Sequence, residues 1–150
     1  MRSSGRIQKK NAIVTGGGNG IGKAIAERFA KEGARVIITD CNRQDGISAA
    51  EGSESISYCY QNVTAEKDWQ KLIKFARDQF KQIDILVNNA GILATETSQV
   101  LEDTSLKQWR TIQAVNSEGV FLGCKYGVEA VSYTHLRAHE TDSYLVCRLL

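Results

Sequence analysis

Glycines at 16, 20 and 22 set the spacing of the run Thr15-Gly16-Gly17-Gly18-Asn19-Gly20-Ile21-Gly22. Glycine lets a backbone approach a ligand closely and adopt positive φ. Asp40 follows Gly20 by twenty residues. A glycine turn that opens a helix presents unpaired N–H groups and the positive end of the helix dipole, which together hold a pyrophosphate. A carboxylate at the spacing of Asp40 would accept hydrogen bonds from the adjoining ribose. The candidate contacts of the turn are Gly16, Asn19, Gly20, Ile21 and Gly22. Residues 17–23 also read G-x-x-x-x-G-K, most of a P-loop. Ala24 then stands where a Ser or Thr would bind magnesium, which argues against a nucleoside triphosphatase. His135 and His139 are four apart, with only Glu140 and Cys147 near them, so no metal site is expected.

The turn needs a strand before it and a helix after it, and the sequence supplies both. Ala12-Ile13-Val14 is an apolar strand. Ile21, Ile25 and Phe29 are four apart and predict one apolar face on a helix over 20–32, with Gly33 as its stop. A second strand over 35–40 ends on Asp40. Asn42 would cap a short helix through Ala50, weakened by Gly46. Residues 55–61 alternate as a third strand. Thr64 reads as the cap of a helix carrying Trp69, Leu72, Ile73, Ala76 and Phe80 on one stripe. Residues 83–88 form a fourth, continuously apolar strand, as a buried parallel strand requires. Ser105 with Gln108 makes a capping box for a long last helix reaching about residue 131. Strands alternating with helices imply an α/β fold, a Rossmann-like doubly wound parallel sheet. The division expected is a tail over 1–10, an incomplete nucleotide-binding domain over 11–131, and a separate tail over 132–150.

Bulk properties narrow the function class. The apolar share is 42% and the charged share 24%, ordinary for a globular chain. A net charge of +2, with no clustered basic stripe, makes nucleic acid an unexpected partner. No apolar run reaches membrane-spanning length, so no membrane association is expected. The four cysteines lack a C-x-x-C pair, which fits reduced thiols in a cytoplasmic protein.

With these residues in place, the chain resembles the short-chain dehydrogenase/reductase family. The family's T-G-x-x-x-G-x-G turn is residues 15–22. Its N-N-A-G stretch is Asn88-Asn89-Ala90-Gly91. Its helix asparagine, in the setting V-N-x-x-G-x-F, is Asn116. The acid-Val pair that contacts adenine appears as Asn62-Val63, a departure that keeps a hydrogen-bonding carbonyl without the charge. The resemblance covers about residues 10–131. It implies a nicotinamide dinucleotide cofactor, and hydride exchange between a secondary alcohol and a ketone as the small-molecule substrate pair. Asn89, Ala90 and Gly91 would line the cofactor cleft. Asn116 would be the catalytic residue present, supporting a proton relay through water. The parent enzyme would be a homo-oligomer.

Charge argues for NAD over NADP. A 2′-phosphate about 4 Å from the Asp40 carboxylate would cost on the order of 4 kcal/mol at an effective dielectric of 20, before screening. Residues 16–22 hold no basic side chain to offset it, and Arg43 is the one candidate nearby. What the family adds after its helix asparagine is a fifth strand, a serine, then Y-x-x-x-K. None of the five tyrosines here has a lysine four residues on; Tyr133 with Arg137 imitates the pair, and comes too soon after Asn116 to leave room for the intervening strand. Residues 132–150 instead resemble translated sequencing-adapter read-through. The expectation is therefore a cofactor-binding portion truncated after the fourth strand and long helix. On this reading the parent is an active oxidoreductase, while the chain itself is a dinucleotide-binding fragment without turnover.

Overall fold

A computed structural model describes residues 5–93 and 101–135 of the chain. Four strands, β1 (Asn11–Thr15), β2 (Arg35–Asp40), β3 (Ile56–Tyr60) and β4 (Ile85–Val87), make one parallel sheet in the order β3-β2-β1-β4. Val14 of β1 registers with Ile38 on one side and Val87 on the other. Helices α1 (Gly20–Lys31), α2 (Arg43–Ala50) and α3 (Glu66–Gln79) link the strands. After β4 come α4 (Leu106–Gln113), a π turn (Ala114–Glu118) and α5 (Gly119–His135).

Period-two alternation along the strands splits the core into two layers. Ala12, Val14, Val36 and Ile38 pack with Ala26 of α1 and Ala49 of α2. Ile13 and Ile37 face the other way, onto Trp69 and Leu72 of α3 and Leu122 and Tyr126 of α5. Helices thus cover both faces, the doubly wound Rossmann-like arrangement. Trp69 anchors the second layer. It is fully buried, its Nε1 donates to the Val63 carbonyl at 2.8 Å, and its ring lies parallel to Tyr126 with centroids 6.4 Å apart. Among the described residues, no helix is long and apolar enough to cross a membrane.

Several local expectations shift. The tail expected over 1–10 is tied down from Gly5. The Lys9 N–H donates to Gly33 O, and the Arg6 N–H to the Glu32 carboxylate. Ile7 packs, partly buried, against the first core layer, so the segment covers an apolar side chain. Ile21 is 74% exposed rather than sharing the partly buried, core-facing stripe of Ile25 and Phe29, because the first turn of α1 stands at a cleft. The cap of α3 is Ala65, not Thr64. Thr64 is drawn off by Asn62, whose Oδ1 accepts from both its N–H and its hydroxyl. β4 is three residues long and half-buried, since among the described residues it edges the sheet. The Ser105–Gln108 capping box is present in full. The expected single long helix is broken by the π turn, and α5 runs to His135, past residue 131. His139 and residues 136–150 lie outside the described residues.

β3 carries two groups that set an alkaline limit. Burial pushes the Tyr58 phenol above its ordinary value of 10.0 and the Cys59 thiol above 9.0. A folded pKa that is raised adds stability that is complete below the unfolded value and is lost as pH rises through the folded one. The urea midpoint is therefore expected to fall between about pH 8 and about pH 11. The pair Tyr58→Phe/Cys59→Ala should flatten that fall. A parent midpoint that stays constant across the range would contradict the assignment.

Candidate functional site

The C-terminal ends of β1, β2 and β4, with the segment after β3, enclose a cleft of about 400 Å³. It opens beside β1, where the strand order reverses and open α/β sheets place their ligands. Gly16, Asn19, Ile21 and Gly22 form one wall, and Asp40 and Cys41 another. Asn62 and Val63 follow β3, while Asn89, Ala90 and Gly91 follow β4. Sequence reasoning missed Thr39, Cys41, Gln61, Ile92 and Val115, which also line it. Gly20 stands just outside this lining. It opens α1 at φ +52°, with nothing within 4 Å of where a Cβ would be.

The two signature stretches are one hydrogen-bonded unit. The Thr15 hydroxyl accepts from the Asn89 and Ala90 N–H groups, both at 3.0 Å, and donates to Val87 O at 3.3 Å. That uses its single proton and both lone pairs. The Asn89 Nδ2 donates to Thr15 O at 2.9 Å and to Gly16 O at 3.1 Å. Gly22 is buried behind them, and a Cβ there would overlap the Gly16 carbonyl oxygen. The glycine turn is thus held by the end of β4, and Gly22 is the residue whose lack of a side chain lets α1 pack against it.

The start of α1 remains open to an anion. Asn19 is the cap residue, yet its side chain makes no cap hydrogen bond. Its Nδ2 donates to Asp45 Oδ2 at 3.0 Å, an atom that also accepts from Asn42 Nδ2 at 2.9 Å. The first N–H groups of α1 are left to bind an anionic ligand. Asp40 lies beside them. Its Oδ2 accepts from the Gly18 N–H at 3.0 Å and its Oδ1 from the Asn42 N–H at 2.9 Å. The Arg43 guanidinium is engaged elsewhere, 4.2 Å from the centre of the Tyr60 ring.

Asn62 and Asn116 depart from their expected parts. The Asn62 carbonyl oxygen is taken twice by Thr64, so its lone pairs are spent inside the loop rather than offered to a base. Asn116 sits in the π turn, where the Gly119 N–H reaches back to Ala114 O. Its Oδ1 accepts from the Ile92 N–H at 2.8 Å and its Nδ2 donates to Ile92 O at 2.9 Å. The side chain therefore positions the segment after Gly91. One amide hydrogen and one lone pair remain beyond those two bonds.

A glycine-walled turn, an open helix start and a carboxylate one strand away fit an extended adenine dinucleotide. Comparison with known proteins agrees. The model of the short chain dehydrogenase family matches residues 10–135, and the chain belongs to that family. It is 38% identical over 136 residues to an NADP-dependent (R)-specific alcohol dehydrogenase of Lentilactobacillus kefiri, covering 89% of this chain and 53% of that one. It is 36% identical over 129 residues to (+)-borneol dehydrogenase 2 of Salvia officinalis, covering 84% and 44%. It is 34% identical over 130 residues to a 3-beta-hydroxysteroid dehydrogenase of Comamonas testosteroni, covering 86% and 50%. The chain spans about half the length of these curated relatives.

Proposed function

We propose that this chain is the NAD(H)-binding portion of an oxidoreductase that moves hydride between a secondary alcohol and a ketone. The observation that carries this reading is the Thr15–Asn89 unit, which holds the glycine turn open beside the Asp40 carboxylate. Gly16, Asn19 and Ile21 would receive the pyrophosphate, with Gly20 and Gly22 shaping the turn. Asp40 would take the adenosine ribose. Asn62 and Val63 would flank the adenine, Asn62 now by contact rather than through its carbonyl. Asn89, Ala90 and Gly91 would line the path to the nicotinamide, which supplies or accepts the hydride when bound. Asn116, by fixing Ile92, would order that path and support a water-borne proton relay.

Preference for NAD over NADP rests on charge. Asp40 is joined by Asp45, held one helical turn into α2 by Asn19 and Asn42. Arg43 is occupied with Tyr60. The Lentilactobacillus relative is named NADP-dependent, so the cofactor is where this chain should part from it. Fluorescence titration is expected to show NADH bound at least about tenfold more tightly than NADPH, about 1.4 kcal/mol and well inside the charge penalty. Equal or tighter NADPH binding would overturn the preference.

A second reading is that the 150-residue chain binds the dinucleotide without turnover. Its support is the absence of any Y-x-x-x-K in the sequence. Carbonyl reduction needs an acid at the substrate oxygen, and the family's tyrosine–lysine pair would supply it. Alcohol-dependent NADH formation by the purified chain decides the point; turnover well above background would refute this second reading.

A further inference from the structure

Arg43 stands between two carboxylates in sequence and pairs with neither. Asp40 comes three residues before it and Asp45 two after it. Among the described residues, Arg43 makes no ion pair. Neutral donors occupy the carboxylates instead. Asp40 holds the Gly18 and Asn42 N–H groups, and Asp45 Oδ2 holds the side-chain amides of Asn19 and Asn42. The Arg43 guanidinium lies over the Tyr60 ring, 4.2 Å from its centre, inside the range of a cation–π contact. The sheet places that ring. Tyr60 ends β3 in register with Asp40. Tyr58, two residues earlier, packs in the layer that holds Ala49 of α2, so period two aims Tyr60 to the α2 side as well. Neither Tyr60 nor Arg43 lines the cleft.

Without the ring, two destinations would be open to Arg43: the Asp40 carboxylate, and a phosphate on the ribose that Asp40 would hold. A guanidinium binds either group well. The turn keeps both close, since the residue before Arg43 already bonds Asp40 Oδ1 through its N–H at 2.9 Å. Either move would put positive charge where Asp40 otherwise repels a 2′-phosphate. We propose that Tyr60 is a positioning residue for cofactor choice, its ring keeping the Arg43 guanidinium away from the ribose side of the cleft. This rests on the dinucleotide reading above. It makes the selectivity depend on a side chain that touches no ligand. An exposed cation–π contact shifts a population by about two- to fivefold, which sets the size of the effect.

ADP-ribose and its 2′-phosphorylated form differ only in the 2′-phosphate, so the ratio of their dissociation constants reads the selectivity. Calorimetry on the full chain measures both. Tyr60 is 37% exposed at a strand end, so its side chain can be exchanged without opening the core. Tyr60→Leu and Tyr60→Thr both remove the ring and keep a residue that a strand accepts. In each, the penalty for the 2′-phosphate is expected to shrink about two- to fivefold. Tyr60→Phe keeps the ring face and should keep the parent ratio. In an Arg43→Ala background, Tyr60→Leu should leave the ratio where Arg43→Ala alone puts it. A strand end merely loosened by loss of the ring would shift it there too. The parent ratio in both ringless variants would overturn the proposal. So would a shift of the same size without Arg43, or in Tyr60→Phe. Failure of the parent chain itself to bind ADP-ribose would instead sink the dinucleotide reading, and this inference with it.

Discussion

Gly22→Ala is expected to cost the fold about 2–4 kcal/mol and to abolish dinucleotide binding. Two effects oppose each other at this position. Alanine in a helix interior is favoured over glycine by about 1 kcal/mol, and residue 22 lies in α1. Against that, a Cβ would overlap the Gly16 carbonyl oxygen and stand 2.5 Å from Asn89 Nδ2. Neither neighbour is the free end of a flexible chain. One is backbone in a turn at φ +63°, and the other is pinned by two carbonyls. Overpacking a well-packed site typically costs about 1–3 kcal/mol. Here it must also break the Asn89 bonds to Thr15 and Gly16, each worth about 1 kcal/mol net. The penalty outweighs the propensity gain, and the displaced turn no longer presents Gly16 to a ligand. Urea unfolding with ADP-ribose calorimetry checks both halves. A variant as stable as the parent would show that α1 can slide away from the turn, and would remove the packing role assigned to Gly22.

The residues that could be read in advance share a property: their chemistry is local. A strand, a glycine turn, a helix and a spaced acid lie within thirty residues of one another, and each is specified by its own neighbours. That is why β1, α1, β2 and Asp40 fall where the periodicity puts them, and why the Ser105–Gln108 box is found intact. The two-layer core follows for the same reason, since alternation along β1 and β2 assigns each side chain a face. What escaped is decided by partners distant in sequence. Thr39 and Gln61 look like ordinary strand-end polar residues until β2 and β3 pair and shut them in. A signal did exist, because Thr39 ends an apolar run and a buried strand end must satisfy its polar group. Asn62 was legible as a residue type, but its diversion to Thr64 depends on turn geometry that no spacing rule encodes. The π turn is similar. A 3.6-residue period cannot register one inserted residue, and Asn116, which bonds Ile92, lies in that turn.

Asn89→Asp isolates the link between the two signature stretches, and it should be the most damaging isosteric change in the cleft. The side chains match in size, so packing is preserved while the donor disappears. Thr15 O and Gly16 O would lose partners at 2.9 and 3.1 Å and face a carboxylate instead. Each unmatched group in a partly buried site costs about 1–3 kcal/mol. Repulsion between an anion and carbonyl oxygens adds to this, so a loss of about 2–4 kcal/mol in unfolding free energy is expected. Binding suffers separately, because the new charge sits against Gly16, which would meet a pyrophosphate. One like-charge pair about 4 Å apart at an effective dielectric of 20 is worth on the order of 4 kcal/mol before screening. Salt distinguishes the two contributions. Raising ionic strength shortens the Debye length from about 10 Å at 0.1 M to about 3 Å at 1 M. It should recover part of the lost NADH affinity while leaving the lost hydrogen bonds unrepaired. Asn89→Ala, which lacks the donor but adds no charge, should lose stability with little salt dependence in its residual binding. If Asn89→Asp binds NADH as the parent does at low salt, the turn is not held by Asn89, and the Thr15–Asn89 unit is not what shapes this cleft.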